Sequence, residues 1–372
     1  MTDEFSLQDR EFMAEAMSLA SRGQGAVEPN PMVGCLIVAD GEAVGQGWHQ
    51  RFGGPHAEVE ALRDAGKAAQ NATMYVTLEP CCHQGKTPPC VEAILQAGIR
   101  RVFVAMRDPF PKVNGSGLDV LQDAGLEVAL GLDAASAQSL NAPYLKYLRY
   151  GRPWVIAKWA MTLDGKLASR SENSQWISNP ASRTVVHQIR GRMDAIIVGR
   201  RTAEADDPLL TARPPGPRAA VRIVLDTKAS LSLDSQLVQT ADDVPVLVAA
   251  STSADSEKCQ RLRDAGCEVV QLRGNNQADR LGELLDELGR RQMTNVLIEG
   301  GSQVLGTAFD ARLIDEVHVF IAPKLLGGSQ ALTPVGGLGL AMMSEAHGLQ
   351  EISVEQLGGD VYVSGRRTDP DS

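Results

Sequence analysis

The sequence lacks the features that would place a protein in a membrane or mark it for export. No apolar run approaches the length of a bilayer span, and the N-terminal segment carries acidic residues but no apolar signal-peptide core. The six cysteines are crowded at positions 81, 82 and 90 or scattered at 35, 259 and 267, which is not the pattern of a secreted disulfide framework. We therefore expect a cytoplasmic protein with reduced thiols.

An excess of positive charge is also missing. Lysine and arginine total 36 against 46 acidic residues, which gives a net charge of −10 and argues against a surface for a nucleic-acid backbone. With 372 residues, 43% of them hydrophobic, the chain is long enough for two or three domains of α/β type. We expect a small-molecule substrate, a homo-oligomer, and no nucleic-acid or membrane partner.

The first half alternates between helical and extended patterns. A helix over 9–22 precedes strands at 33–38 and 43–48, which a tight turn at Asp40-Gly41 would join as an antiparallel hairpin. Helices then alternate with strands, the helices at 56–65, 89–97 and 117–124 and the strands at 74–78, 101–105 and 126–130. The sequence predicts a helix-flanked sheet.

The pattern restarts after Gly151 and Pro153, so we place a domain boundary between residues 1–150 and 151–372. The second series has predicted strands at 154–158, 195–198, 222–225, 246–249, 268–271, 295–298 and 317–321, with helices at 180–192, 257–265 and 281–290. A surface loop is expected at 213–218, and the tail after Gly365 is expected to be frayed.

Three residues that commonly bind zinc lie near the starts of two predicted helices. His56 is followed two positions later by Glu58, and Cys81 and Cys90 flank the start of the next helix. One imidazole and two thiolates leave the fourth tetrahedral position for a water that the metal acidifies. Because Glu58 can reach that water as a proton carrier, the arrangement indicates the catalytic site of a zinc nucleobase deaminase.

Two neighbouring residues leave the set of ligands open. Cys82 or His83 could reach a metal at Cys81 as a fourth ligand, which would make a closed structural site. Structural sites usually use paired Cys-x-x-Cys units, and Glu58 would then have no role. We therefore favour the catalytic site, and Cys82 has no assigned role.

The spacing of the cysteines narrows the type of deaminase. Deaminases of free cytidine and of nucleic acids usually show Pro-Cys-x-x-Cys, whereas eight residues separate Cys81 from Cys90. The segments 79–90, 30–34 and 45–49 resemble the deaminase half of the bifunctional riboflavin-pathway deaminase and reductase family, although many members have serine in place of Cys82. The resemblance implies a cytidine-deaminase-like α/β/α domain with zinc on His56, Cys81 and Cys90, proton transfer by Glu58, and substrate contacts at Asn30, His49 and Lys86.

The second half contains a strand, a glycine turn and a helix over 296–306, an arrangement that can bind phosphate but lacks the Gly-x-Gly-x-x-Gly spacing. Close packing of strand and helix would explain these glycines equally well. Segments 158–166, 174–178, 183–190 and 205–213 resemble the reductase domain of the same family, so the resemblance covers about residues 6–365. It implies a dihydrofolate-reductase-like α/β domain that uses NADPH.

The resemblance also implies site residues for the reductase. Substrate contacts are expected at Ser174, Arg190, Leu210, Arg213 and Glu299. NADP contacts are expected at Ala160, Trp176, Thr202, Asp206, Thr227, Gly301, Ser302, Gln303, Val304, Leu305, Gly306 and Thr307. Lys158 and Asp206 are the candidates for polar catalytic help, and Arg190 and Arg213 suit phosphate because a guanidinium offers two donors. Trp176 could equally belong to the core.

The implied reactions are deamination of 2,5-diamino-6-ribosylamino-4(3H)-pyrimidinone 5′-phosphate and then NADPH-dependent reduction of its ribosyl group, which gives 5-amino-6-ribitylamino-uracil 5′-phosphate. Two alternatives remain. A nucleic-acid base deaminase with a C-terminal binding module is opposed by the acidic charge balance and the long spacing of the cysteines. A non-catalytic scaffold held together by zinc would require four protein ligands.

Overall fold

The computed structural model describes residues 5–83, 88–111, 113–169 and 176–368. The chain divides into two compact units, Met1–Tyr150 and Gly151–Ser372, here called unit 1 and unit 2. Two of the predicted substrate contacts, Lys86 and Ser174, lie outside the described residues. None of the helices in the described ranges combines the length and the apolar character that a membrane crossing requires.

Unit 1 is a five-stranded sheet with helices on both faces. Its strands are β1 (Gly34–Ala39), β2 (Glu42–Trp48), β3 (Thr73–Val76), β4 (Arg101–Val104) and β5 (Glu127–Leu130), in the spatial order β2-β1-β3-β4-β5. Its helices are α1 (Leu7–Ser21), α2 (Ala57–Ala65), α3 (Cys90–Ala97), α4 (Ser116–Asp123), α5 (Ala134–Leu140) and α6 (Ala142–Tyr150). The strands β1 and β2 form the predicted antiparallel hairpin, whereas β3, β4 and β5 are parallel.

Alternation along the strands divides the apolar side chains of unit 1 between two core layers. Ile37 and Val76 face a layer that contains apolar residues of α2, α3 and α4. Leu36 and Phe103 face a second layer with apolar residues of α1 and α5. Successive side chains of a strand point to opposite faces of the sheet, so both faces of this one are buried. This is the α/β/α arrangement that the resemblance implies.

Unit 2 is built on a nine-stranded sheet in the order β10-β9-β8-β7-β11-β6-β12-β14-β13. The strands are β6 (Trp154–Thr162), β7 (Ala195–Gly199), β8 (Val221–Leu225), β9 (Val246–Ser251), β10 (Glu268–Leu272), β11 (Asn295–Ile298), β12 (Glu316–Ala322), β13 (Leu349–Leu357) and β14 (Asp360–Arg367). The helices are α7 (Pro180–Arg190), α8 (Arg200–Asp206), α9 (Gln236–Gln239), α10 (Ser256–Asp264), α11 (Gln277–Arg290) and α12 (Ser302–Asp310).

Two core layers again cover the two faces of the sheet. Helices α7 and α10 contribute to one layer, and α11 and α12 contribute to the other. The strands from β10 to β12 in spatial order pair in parallel, and only β14 and β13 at one edge are antiparallel. The carboxyl ends of the parallel strands therefore lie along one edge of the sheet, where ligands bind in open α/β sheets.

The structure corrects the predicted ends of several elements. The tail after Gly365 is ordered in β14, which runs to Arg367 and pairs with β12 and β13, so the predicted fraying is wrong as far as Arg367. Strands β13 and β14 and the helices α5, α6, α8 and α9 were not predicted. His56 lies just outside the helix that it was expected to open, as the residue capping α2.

Candidate active sites

The N-terminal ends of two helices in unit 1 bring the predicted zinc ligands together. His56 caps α2, and Cys90 is the first residue of α3. Helix α2 lies against β2 at Gly47, where an added Cβ would come within 2.4 Å of the carbonyl oxygen of Ala57. A larger residue at position 47 would push the start of α2 away, so this glycine helps to set the position of His56.

The side chains of His56, Cys81 and Cys90 converge on one point. Their ligand atoms lie within 4.8 Å of one another, and the His56 Nδ1 atom is 3.2 Å from the Cys90 sulfur and 3.5 Å from the Cys81 sulfur. A hydrogen bond from the Cys90 thiol lowers the pKa of Cys81 to about 4. One ring nitrogen and two sulfurs, one of them readily a thiolate, form a donor set that fits Zn²⁺. No other group of this kind occurs in the described part of the chain.

Glu58 lies beside this cluster but outside the set of metal-binding atoms. Its carboxyl group is 3% exposed and hydrogen-bonds the Cys90 thiol. Burial raises the pKa of Glu58, although His56 opposes this effect. A buried carboxyl group that can take up and release a proton next to three metal-binding atoms has the position that a proton carrier needs.

Asn30 and His49 lie next to His56, since the ring centroids of His49 and His56 are 5.5 Å apart. The Nδ1 atom of His49 is 3.0 Å from the Pro55 carbonyl oxygen, so this nitrogen carries the proton and donates. Its Nε2 atom accepts from the Asn30 amide at 3.3 Å, and burial lowers the pKa of the ring. His49 thus has a partner on both nitrogens and orients the Asn30 amide, whose oxygen has no partner within the described contacts.

Cys82 and His83 lie apart from the three-residue cluster. The Cys82 thiol packs against the core layer under α2, α3 and α4 and hydrogen-bonds the Ser116 hydroxyl. The His83 ring lies 6.1 Å from the Phe110 ring, measured between centroids. Neither side chain belongs to the group whose donor atoms could share a metal, so among the described residues the cluster has three protein ligands.

Glu79 joins the segment that carries Cys81 to the loop before α4. Its buried carboxylate accepts hydrogen bonds from the backbone N–H groups of Asp108, Gly115 and Gly117 at 2.9–3.2 Å. Gly117 is required here because an added Cβ would lie 2.0 Å from the Pro80 carbonyl oxygen. Glu79 lies in the segment 79–90 that carries the family resemblance, but the sequence indicated no role for it.

Unit 2 contains a large pocket of about 970 Å³ at the carboxyl ends of β7, β8 and β11. Most of the predicted reductase residues line this pocket. They are Lys158, Ala160, Trp176, Arg190, Thr202, Asp206, Leu210, Arg213, Thr227, Glu299, Gly301, Ser302, Gln303, Val304 and Thr307. Trp176 is 65% exposed, so the alternative that it belongs to the core is wrong.

Two of the predicted cofactor contacts do not line the pocket. Leu305 is fully buried in the core layer under α11 and α12. Gly306 faces the opposite way, toward Gly336, whose carbonyl carbon would lie 2.2 Å from an added Cβ. Only some of the cofactor contacts expected at 301–307 therefore line the pocket, because successive residues of α12 point in different directions around the helix.

A buried ion-pair cluster forms one wall of the pocket. Glu299 follows β11 and accepts two hydrogen bonds from Arg190, at 2.5 and 2.8 Å, while the Lys158 ammonium lies 3.6 Å away. Burial alone would raise the pKa of Glu299, but Arg190 and Lys158 lower it to about 2. Burial lowers the pKa of Lys158. The wall thus carries two cations and one anion.

Family models match both units. A model described as the cytidine and deoxycytidylate deaminase zinc-binding region matches residues 6–106, and one described as the RibD C-terminal domain matches residues 153–363. The riboflavin biosynthesis protein RibD of Actinobacillus pleuropneumoniae is 41% identical over 358 residues, which cover 96% of this chain and 95% of that protein. The chain belongs to the RibD family.

Other RibD proteins match over similar lengths. RibD of Escherichia coli (strain K12) is 39% identical and covers 96% of this chain and 99% of its own. The solved structure of Acinetobacter baumannii RibD superposes with a TM-score of 0.84 at 36% identity, over 97% of this chain and 99% of that one. A Thermotoga maritima structure, described as a diaminohydroxyphosphoribosylaminopyrimidine deaminase and 5-amino-6-(5-phosphoribosylamino)uracil reductase, gives 0.84 at 34% identity with the same coverage.

Membership of the RibD family makes this chain a bifunctional enzyme of riboflavin biosynthesis, with a zinc-dependent deaminase and an NADPH-dependent reductase. The deaminase fold is that of unit 1, and the RibD reductase fold is that of unit 2. The donor atoms of His56, Cys81 and Cys90 suit the metal, and the pocket of unit 2 has room for a dinucleotide and a substrate.

Two polar residues of the reductase pocket were not among the predicted site residues. Arg183 and His187 lie on the same face of α7 as Arg190 and line the pocket with it. Their spacing of four and then three residues is the signal that could have found them, because it places all three on one helical face. Arg183 also stacks on Trp176, with its guanidinium carbon 4.7 Å from the ring centroid.

Proposed function

We propose that unit 1 deaminates 2,5-diamino-6-ribosylamino-4(3H)-pyrimidinone 5′-phosphate and that unit 2 reduces the ribosyl group of the product with NADPH. The product would be 5-amino-6-ribitylamino-uracil 5′-phosphate. The observation that carries this proposal is the convergence of His56, Cys81 and Cys90 beside the buried carboxyl group of Glu58. The Thermotoga maritima relative is described by the same pair of activities.

In unit 1, His56, Cys81 and Cys90 would hold zinc. Bound there, the metal would supply a hydroxide at neutral pH by acidifying a water. Glu58 would take the proton from that water, deliver it to the pyrimidine ring and help to protonate the departing ammonia. Its burial supports this role, because burial raises the pKa of Glu58 and so makes it easier for the carboxylate to take up a proton.

Asn30 is the direct contact that we propose for the pyrimidine ring. His49 would fix the direction of the Asn30 amide, since its own two nitrogens are engaged with Pro55 and Asn30. Lys86 remains a proposed partner for the substrate phosphate, on the resemblance alone.

In unit 2, bound NADPH would supply the hydride for reduction at C1 of the opened sugar. Ala160, Trp176, Thr202, Asp206, Thr227 and the pocket-facing part of 301–307 would bind the cofactor. Lys158 and Asp206 would provide polar help near C1, and the lowered pKa of Lys158 makes it easier for this group to give up a proton.

Arg213 is a better candidate than Arg190 for the substrate phosphate. Arg190 already donates to both oxygens of Glu299 and to the Thr211 carbonyl oxygen. Arg213 is exposed at the pocket rim and has no ion-pair partner within the described residues. Arg190 and Glu299 would then shape the wall that the sugar contacts, with Leu210 beside them.

We also infer that the protein works in the cytoplasm as a homo-oligomer. All six cysteines are free, which suits a reducing compartment. The edge strand β13 is exposed along nearly its whole length, and Ile352 and Val354 are 59% and 65% exposed. An exposed apolar edge is normally covered, and a second copy of the same strand is the partner that two-fold symmetry supplies.

One experiment tests the order of the two reactions. The zinc-loaded protein should release ammonia from the diaminopyrimidine substrate without NADPH, and should oxidise NADPH only after that release. Glu58→Gln should keep the metal and the reduction of supplied aminouracil but lose deamination. Failure of the zinc-loaded enzyme to release ammonia would refute the deaminase assignment.

A further inference from the structure

Among the described residues, Arg222 has the largest side chain that is fully buried. It lies near the start of β8, the strand whose carboxyl end lines the pocket of unit 2. Burial lowers the pKa of its guanidinium. The charges of Cys267 and Asp243 oppose this effect, but neither group forms an ion pair with Arg222 within the described residues, so its hydrogen bonds must offset a large loss of hydration.

Those hydrogen bonds connect the pocket to the segment after α9. One terminal nitrogen, Nη1, donates to the Leu209 carbonyl oxygen at 3.3 Å and to the Thr240 hydroxyl at 2.7 Å. The other, Nη2, donates to the Thr240 carbonyl oxygen at 2.8 Å and to the Val244 carbonyl oxygen. Four acceptors from two separate chain segments therefore meet at one guanidinium.

The segment that Arg222 holds has an unfavourable backbone. Leu210, the residue after the tethered carbonyl group, has a φ of +53° and is 3% exposed. Asp207, three residues earlier, has a φ of +38°. Residues other than glycine rarely adopt positive φ angles, and such backbone strain persists only where surrounding contacts impose it.

A second tether acts on the same segment from the same side. The Gln236 side-chain amide donates to the Asp207 carbonyl oxygen at 2.5 Å, and the Gln236 backbone N–H donates to the Asp207 carboxylate at 2.8 Å. The pocket-lining stretch 207–210 is thus attached at both ends to the α9 region. Neither Arg222 nor Thr240 lines the pocket itself.

We propose that Arg222 is a positioning residue of the reductase, which holds the 207–213 segment in the strained form that presents Leu210 and Arg213 to the substrate. This inference rests on the proposed substrate roles of those two residues. Only arginine suits the position, because its planar fork reaches three carbonyl groups and a hydroxyl group at once, whereas lysine has three donors on one atom. The cofactor contacts on α12 do not depend on it.

The full-length enzyme allows a direct test with four variants. Arg222→Met removes the donors but keeps an apolar stem, Arg222→Lys keeps the charge, and Thr240→Val removes one acceptor with little change of shape. Arg152→Met is the matched control, because it removes an arginine that forms a two-point pair with Asp286 away from the pocket. The measurements are the KM for the phosphoribosylamino-uracil substrate, kcat, the NADPH Kd by fluorescence, and ammonia release by unit 1.

We expect Arg222→Met to raise the substrate KM by about tenfold, since a small displacement of binding groups has effects of this size. The NADPH Kd should change by less than about twofold, and ammonia release and the Arg152→Met control should match the unaltered enzyme. Arg222→Lys should recover part of the loss, and Thr240→Val should raise KM by a smaller factor.

Two results would overturn the proposal. One is an unchanged KM in a folded Arg222→Met or Thr240→Val variant, and the other is a parallel loss of substrate and NADPH binding, which would indicate a general collapse of the pocket. If Arg222→Met does not fold, Thr240→Val alone decides between these outcomes. An Arg213→Ala variant separates the two levels of inference, because an unaltered KM there would count against the proposed function rather than against Arg222.

Discussion

Arg190 and Glu299 form a two-point ion pair in the wall of the reductase pocket, with Lys158 as a second cation beside it. The pair links α7 to the end of β11, so it joins two elements that are far apart in the sequence. Because the carboxylate side chain is only 4% exposed, its negative charge balances cations that water reaches poorly.

Replacement of Glu299 by Gln should therefore destabilise unit 2. Removing one partner of a buried pair leaves uncompensated charge, and we expect a loss of about 3 kcal/mol in unfolding free energy together with weaker substrate binding. Asp286→Asn, which breaks a more exposed pair with Arg152, should cost less than about 1 kcal/mol. Equal losses in the two variants, measured by chemical denaturation, would contradict this account.

The acid stability of unit 2 should depend on Glu316. Burial would raise the pKa of this residue, but His318 and Arg366 lower it to about 2 in the folded state. A depressed carboxyl pKa contributes stability above its unfolded value, near 4.5, and that contribution is lost as the pH falls toward 2. Glu316→Gln should be less stable by roughly 2–3 kcal/mol at neutral pH, with a difference that shrinks below about pH 4. A pH-independent difference would argue against the ion pair.

Cys82 should be dispensable for zinc binding. Its thiol contacts the core layer and Ser116 rather than the metal-binding cluster, so Cys82→Ser should keep one zinc per chain and full deamination. Cys81→Ser is the matched variant, and it should lose both. Metal analysis combined with ammonia release distinguishes the two, and a loss of zinc in Cys82→Ser would mean that this residue is a ligand.

Glu79 should matter for deamination without touching the cluster. Its carboxylate accepts hydrogen bonds from the backbone N–H groups of Asp108, Gly115 and Gly117. A glutamine at position 79 would keep one carbonyl acceptor but would add N–H donors that have no suitable partner there. We expect Glu79→Gln to destabilise unit 1 by about 1–3 kcal/mol and to lower kcat for ammonia release. Reduction by unit 2 serves as the internal control, and a normal kcat would limit Glu79 to a role in stability.

The exposed edge strand predicts the assembly state. If β13 pairs with its copy, Ile352→Lys should shift the protein toward the monomer in light scattering while both activities are retained at high concentration. Leu7→Lys provides a control at an apolar residue of α1 that is even more exposed, at 81%. A protein that is monomeric before any substitution would refute the homo-oligomer.

Secondary-structure elements that follow from a repeating local pattern were mostly predicted from the sequence, whereas elements that depend on contacts between distant residues were not. The apolar alternation and the helical spacing predicted the buried strands and amphipathic helices, because each pattern is local. Strand β13 could not be predicted this way, since both of its faces are exposed and its pairing with β14 decides its conformation.

The same distinction between local patterns and distant contacts applies to the candidate sites. His56, Glu58, Cys81 and Cys90 were identifiable because zinc chemistry restricts residue type and spacing. The engagement of Arg190 with Glu299, which lie 109 residues apart, cannot be read from spacing. Leu305 and Gly306 were assigned with their neighbours because the sequence does not mark which side of α12 faces the pocket.

The last helix of unit 1, α6, is linked to the first strand of unit 2, β6, through only three residues, 151–153. Because this link is covalent, every deaminase centre is made together with one reductase centre. The ratio of deaminase to reductase centres in the cell is therefore fixed by translation of a single chain and does not change with the expression level. The unreduced intermediate therefore always meets an equal number of centres able to consume it.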